Sequence, residues 1–190
     1  ITLRMLMGHR AGLQHYSNGV ASHQPPASQR NDPAINTGIE PWLSTFLSNP
    51  LIALPGEHYS YSSPGTSLAA VVLEKATGKT WDELVREYIA GPLNLCSLRP
   101  DRNWVAETRK AWGYATGPGG VWLPYSPYSD GSDDISWMAA SGGMMSTLDA
   151  FVRYGHALLS DTTWKPPAVR NVLFSDQPSY ATDPSDTTQQ

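Results

Sequence analysis

Tyr61 stands in the run Pro55-Gly56-Glu57-His58-Tyr59-Ser60-Tyr61-Ser62-Ser63-Pro64-Gly65, a setting in which a phenol can move a proton. Pro55-Gly56 is a turn dipeptide, and His58 to Tyr61 reads as a short, alternating aromatic strand. Ser63 offers the hydroxyl of a helix cap, and Pro64 suits the first helical position, where a missing N–H costs nothing. The run predicts a strand-to-helix corner that holds Tyr61 close to a helix N-terminus. In that positive field, beside a lysine, the phenol is suited to the work of a general base. The same residues also fit an ordinary core tyrosine ahead of a capped helix.

Other chemistry-bearing residues have plainer readings beside the functional one. His9 and His15 have the side chain of a catalytic base, but His9 falls at a predicted helix end, where an imidazole meets the C-terminal dipole favourably. The five histidines lack metal-ligand spacing and the lone Cys96 adds nothing to them, so no metal site and no cofactor are expected. Asp130, Asp133 and Asp134 lack the Gly and Glu positions of a calcium loop. Gly142-Gly143 permits close backbone approach to a ligand or forms a tight turn before a helix. Trp122, Tyr125, Tyr128 and Trp137 fit the wall of a cleft as well as aromatic core packing.

The elements that must position these groups are mostly helical. Thr2 to Met7 predicts a short helix ended at Gly8, and residues 14–36 form a polar loop. Thr37-Gly38-Ile39-Glu40 is a capping box, followed by Trp42, Leu43, Phe46 and Leu47 at helical spacing over 38–48. A helix over 64–77 is expected to bury Leu68, Val71, Val72 and Leu73 and to stop at Gly78. A second capping box at Thr80-Trp81-Asp82-Glu83 opens a helix over 81–90, with Leu84, Val85, Tyr88 and Ile89 inward and Gly91-Pro92 as its stop. Residues 110–124 predict a hairpin turning at Gly117-Pro118-Gly119-Gly120. Ser146-Thr147-Leu148-Asp149 caps a helix over 147–159, whose Phe151, Val152, Leu158 and Leu159 are expected to face inward. The fold class is therefore mainly α with a small β element. Residues 1–160 form one mostly helical unit, and 161–190, polar and Pro-rich, read as a loosely ordered tail.

Four segments carry a resemblance. Ile1 to Leu13 is similar to the pattern ITIRHLLSHTSGL, and Pro55 to Gly78 to PGxxFxYSxxGYxLLGxxIExxTG. Ala140 to Leu159 is similar to AGGLxSTxxDLxxFxxALL, and Lys110-Ala111-Trp112-Gly113-Tyr114 to RAxGY. In their order along the chain they resemble the serine β-lactamase-like and penicillin-binding family, with Gln14-His15-Tyr16 pointing to its mitochondrial-type branch. The resemblance implies the helical part of a β-lactamase/transpeptidase-like α+β fold. It also implies that Tyr61-Ser62-Ser63 fills the Tyr-x-Asn motif, with Tyr61 as general base and Ser63 lining the pocket. Ser63 in place of Asn is a departure, since a hydroxyl lacks the two-donor amide that steadies a lactam side chain. That favours an esterase or peptidase over a β-lactamase. Tyr16-Ser17-Asn18 matches Tyr-x-Asn literally, but it opens a Pro- and Ser-rich loop with no strand before it and no amphipathic helix after it.

The family's nucleophile lies in Ser-x-x-Lys, and no serine of this chain has lysine three residues on. Thr162-Thr163-Trp164-Lys165 is the nearest match, in a Pro-flanked stretch, and no late Lys-Thr-Gly strand occurs. The nucleophile is expected to precede Ile1, so that these residues are the middle of a longer protein holding one of three catalytic elements. The leading reading is a serine hydrolase acting on a small-molecule or peptide ester or amide through an acyl-enzyme. The alternative is a non-catalytic relative or fragment with a structural or binding role. An α/β-hydrolase fits less well, since no Gly-x-Ser-x-Gly elbow is present. A formal net charge of −4 without a Lys/Arg cluster argues against nucleic acid, and no apolar run approaches the length of a membrane span. The oligomeric state and compartment are left open, a periplasmic or secreted location included.

The missing nucleophile gives a first prediction. The 190-residue chain alone is expected to hydrolyse neither nitrocefin nor p-nitrophenyl acetate above a mock preparation, as followed by absorbance. Turnover accompanied by fluorophosphonate labelling of one of its serines would contradict this.

Overall fold

A computed structural model of the chain describes residues 1–15, 39–40, 46–102, 110–111, 113–125, 135, 138–160, 164–165 and 167–175. Helix α1, Leu3–Met7, starts at Thr2, whose hydroxyl accepts the Met5 N–H, and ends at Gly8. Helix α2, Ser63–Thr77, is the longest element and ends at Gly78, whose left-handed backbone gives the usual glycine stop. The expected cap moves by one residue. Ser62, in extended conformation, accepts the Gly65 N–H, so Ser63 is the first helical residue and Pro64 the second. Pro is tolerated there because the first N–H groups of a helix have no internal partner. His58–Tyr61 forms no strand; it lies beside His9 with one main-chain bond, Ser60 N–H to the His9 carbonyl at 2.7 Å.

Helix α3, Trp81–Val85, carries the predicted capping box, with Thr80 and Glu83 bonded reciprocally. It continues as a π-turn over Arg86–Ala90 that closes at Gly91. The Glu74 carboxylate near the end of α2 accepts the Trp81 N–H at 2.7 Å, which ties α3 to α2. Strand β1, Arg99–Pro100, later pairs antiparallel with β4, Met144–Met145. Between them the predicted hairpin forms from β2, Gly113–Thr116, and β3, Trp122–Tyr125, with Gly113 opposite Tyr125 and Thr116 opposite Trp122. Helix α4, Leu148–Ser160, is capped by Thr147, which accepts the Ala150 N–H at 3.3 Å. Helix α5, Pro167–Phe174, lies in the stretch read as a tail, and the Trp164 indole before it donates to the Tyr88 carbonyl at 3.0 Å.

The apolar packing is divided among small clusters. Leu6, Ala11 and Leu13 meet Ala69 of α2, while Ile39 meets Ala70 and Val71. Ala90 and Leu95 meet Ala150 of α4. Several faces expected to be buried are not: Val72, Leu73, Tyr88, Phe151, Val152 and Leu159 are exposed. The reason is the small residues on the other faces. Ala69 and Ala70 on α2, and Ala150 and Ala157 on α4, allow close approach, so these alanines turn inward rather than the bulky stripes. The helix expected over 38–48 lies largely outside the described residues; Glu40, Phe46 and Leu47 are helical.

Two glycines provide a contrast. Gly12 has φ 70°, and a Cβ there would lie 2.1 Å from the Ala53 carbonyl oxygen; Gly78 has the same φ with nothing nearby. Gly12→Ala is expected to cost about 2–5 kcal/mol, combining left-handed strain and overpacking. Gly78→Ala should cost only about 1–2 kcal/mol, from strain alone. Urea unfolding of both variants measures the difference, and equal costs would mean that the 12–53 contact is not tight.

Candidate active site

Tyr61 is held where two distant segments lie side by side. The Gly12 carbonyl accepts the Ile52 N–H at 2.9 Å, the Arg10 carbonyl accepts the Gly56 N–H at 2.7 Å, and the His9 carbonyl accepts the Ser60 N–H. The Gln14 side chain donates to the Pro50 carbonyl at 3.1 Å, and the Ser62 hydroxyl donates to the Gln14 carbonyl at 2.8 Å. Ser62 is extended, and its N–H, like that of Ser60 two residues before, is directed at His9. There it meets the imidazole, donating to His9 Nδ1 at 3.2 Å. The next amide, Ser63 N–H, donates to His15 Nδ1 at 3.4 Å.

The phenol at this corner is 49% exposed, while Ser62 and Ser63 are 3% and 5% exposed. Tyr61 is therefore not a core tyrosine in this structure. Its ring lies 4.6 Å from the His9 ring and 5.0 Å, edge-on, from the His15 ring. The Ser63 hydroxyl donates to the phenol oxygen at 3.4 Å. The two predicted site residues are thus together, one hydroxyl upon the other at the start of α2. Burial holds the His9 imidazole below its ordinary pKa against a raising effect of the hydrogen bond with the Ser62 backbone, neighbouring His15 adds a smaller lowering effect, and burial lowers His15 likewise.

One turn along α2, Ser67 donates to the Ser141 hydroxyl at 3.3 Å, bringing the Gly142-Gly143 loop onto the same face of the helix. Gly143 has a structural reason: a Cβ there would lie 2.0 Å from the Ile135 carbonyl oxygen. Sequence reasoning missed the part played by His9 and His15. They lie 53 and 48 positions before the amides they accept, so no local spacing could show the pairing.

The remaining candidates fall elsewhere. Tyr16, Ser17 and Asn18, the aspartates 130, 133 and 134, Tyr128 and Trp137 lie outside the described residues. Trp122 is exposed on the hairpin. Lys165 is turned onto Tyr88, donating to its carbonyl at 3.4 Å, and Thr162 lies outside the described residues. A cavity of about 700 Å³ is lined by Arg99, Asp101, Lys110, Met144 and Thr147 among others, and neither Tyr61 nor Ser63 borders it. Among the described residues no group of His, Cys, Asp and Glu is arranged to hold a metal, and no helix is long and apolar enough to cross a membrane.

A family model described as Beta-lactamase matches residues 1–186. Among solved structures, a D-stereospecific amidohydrolase from a Streptomyces species aligns with a TM-score of 0.73 at 21% identity, over 92% of this chain and 51% of its own. The D-amino acid amidase of Ochrobactrum anthropi SV3, complexed with L-phenylalanine amide, aligns with a TM-score of 0.66 at 21% identity, over 90% of this chain and 46% of its own. A penicillin-binding protein of Bacillus halodurans aligns with a TM-score of 0.63 at 20% identity, over 84% and 46% respectively. The shared property is the fold, and the chain spans about half the length of these proteins.

Ser62 and Ser63 differ in what their hydroxyls hold. Ser62→Ala removes the cap of α2 and the bond to Gln14, and is expected to cost about 1–3 kcal/mol. Ser63→Ala removes one long bond to a half-exposed phenol and should cost about 0.5–1 kcal/mol. Denaturant midpoints of the two variants test this order; a larger loss for Ser63→Ala would reverse the assignment of the cap.

Proposed function

The chain belongs to the β-lactamase family, and on that premise we propose that Tyr61 is the general base of a serine hydrolase that opens an ester or amide through an acyl-enzyme. The observation that carries this reading is the setting of its phenol: half-exposed, at the start of a helix, with the buried Ser63 hydroxyl donating to its oxygen. A base must reach solvent or substrate and yet be fixed, and this one combines exposure with contacts to two imidazoles. In the proposed reaction Tyr61 acts as the phenolate, whose oxygen takes the proton of an attacking serine hydroxyl and becomes the neutral phenol. The serine oxygen bonds to the carbonyl carbon, the proton passes to the leaving alcohol or amine, and water then hydrolyses the acyl-enzyme. Ser63 lines the pocket and steadies the phenol oxygen.

The serine and its partner lysine are not among residues 1–190, because no Ser-x-x-Lys occurs there. The proposed nucleophile is therefore supplied from outside this range, in keeping with the greater length of the structural neighbours. A hydroxyl at Ser63 in place of an amide favours simple ester or peptide substrates over lactams.

Tyr61→Phe keeps the ring and its packing and removes only the hydroxyl. In a polypeptide carrying residues 1–190 together with a Ser-x-x-Lys turn, it is expected to lower the acylation rate by about 10²–10⁴-fold, the usual worth of a general base, with little change in melting temperature. Tyr16→Phe should leave the rate as it is. If Tyr61→Phe acylates at the wild-type rate, or loses activity only by unfolding, Tyr61 is not the base. If the wild type takes no fluorophosphonate label at all, the non-catalytic reading gains.

A further inference from the structure

We propose that His9 and His15 are positioning residues that clamp the Tyr61 corner, each accepting one of two consecutive main-chain N–H groups while its ring packs on the phenol ring. The consequence for catalysis rests on the reading of Tyr61 as a base; the clamp itself does not.

The geometry is specific. Ser62 and Ser63 are the cap and first residue of α2, so their N–H groups have no partner within the helix, and both residues are buried. An amide buried without an acceptor is costly, and here each one meets an imidazole nitrogen: Ser62 to His9 Nδ1 at 3.2 Å and Ser63 to His15 Nδ1 at 3.4 Å. The same two rings contact Tyr61, one tilted and one edge-on. The phenol ring and the two peptide units after it are thus fixed by the same pair of side chains. His9 is itself fixed, since its carbonyl accepts the Ser60 N–H, its φ is 55° and its ring lies edge-on to Tyr59.

The clamp has a protonation requirement. A ring nitrogen that accepts a hydrogen bond has no proton, so each imidazole must be neutral and carry its proton on Nε2. Among the described residues, the titratable groups facing His9 are His15 from its own segment and Tyr59 and Tyr61 from the opposing one. Glu57 is turned back onto the Leu54 N–H and the His58 ring. Among the described residues, Tyr61 and His9 face His15. Burial, the main cause, and the like charge of the partner imidazole favour neutral His9 and outweigh an opposing, raising effect of the hydrogen bond with the Ser62 backbone; burial favours neutral His15. Lowered values mean that the unfolded chain binds these protons first. The clamp is therefore complete above the ordinary imidazole pKa of about 6.5 and is lost as the pH falls through the lowered folded values.

The test has two arms. In the 190-residue chain, nitrogen–proton NMR between about pH 4.5 and 8 should show the Ser62 amide shifting with the titration of His9 and the Ser63 amide with that of His15. His9→Asn places an acceptor near the former Nδ1 without a titrating group, and should remove the pH dependence of the Ser62 amide while leaving the Tyr61 ring signals in place. His9→Phe keeps a ring without the acceptor and should displace them; His15→Asn and His15→Phe should act likewise through Ser63. In a polypeptide that also carries a Ser-x-x-Lys turn, His9→Phe should slow acylation by about 10- to 100-fold, the scale of a misplaced group, and should add little in a Tyr61→Phe background. His9→Asn should restore most of the rate and flatten the acid limb of the pH profile. Amides indifferent to the histidines, or Tyr61 signals unmoved in both Phe variants, overturn the clamp. If the NMR arm holds while Tyr61→Phe acylates at the wild-type rate, the clamp stands and the catalytic reading of Tyr61 fails.

Discussion

The contact of Gly12 with Ala53 sets how closely residues 9–14 and 50–62 lie, and the corner that presents Tyr61 is built upon that closeness. A side chain at position 12 would collide with the Ala53 carbonyl, so the approach is open only to glycine. Once the segments meet, main-chain bonds from Ile52, Gly56 and Ser60 to Gly12, Arg10 and His9 fix their register. None of these bonds belongs to a regular sheet. His9 has a left-handed backbone, and its side chain takes the Ser62 N–H in place of a carbonyl.

That substitution links the start of α2 to the chemistry proposed for it. A helix N-terminus brings unpartnered N–H groups and a positive field. Here Ser62 accepts the Gly65 N–H, while the amides of Ser62 and Ser63 go to two imidazoles. Because the first turn is satisfied within the protein, it is held rigidly. The phenol ahead of it stays outside this network, apart from its bond with Ser63, and remains half-exposed.

The packing beneath the corner follows from small residues. Ala69 joins Leu6, Ala11 and Leu13, which anchors the segment of His9 directly on α2, and Ser67 joins Ser141, which brings the Gly142-Gly143 loop to the same helix. The alanines of α2 and α4 turn inward and leave Val72, Leu73, Phe151 and Val152 exposed. Hydrophobicity alone would have buried the larger side chains, but close approach between elements favours the smaller ones.

Local signals determined much of this protein. Thr2 and Thr80 cap the helices their spacing predicts, Gly78 and Gly91 stop them, and the Gly-Pro-Gly-Gly run turns the hairpin. Each of these depends on neighbours within a few residues, which is why composition and spacing reveal it. The shift of the α2 cap from Ser63 to Ser62 was decided by tertiary structure, because Ser62 also has the Gln14 carbonyl to satisfy. The same holds for the inward faces of α2 and α4. The family motifs placed Tyr61 and Ser63 at one corner, but the roles of His9 and His15 emerged only once the fold closed the chain between them. A hydrogen bond joining residues about fifty positions apart leaves no periodic trace in sequence; only the path of the folded chain brings donor and acceptor within reach.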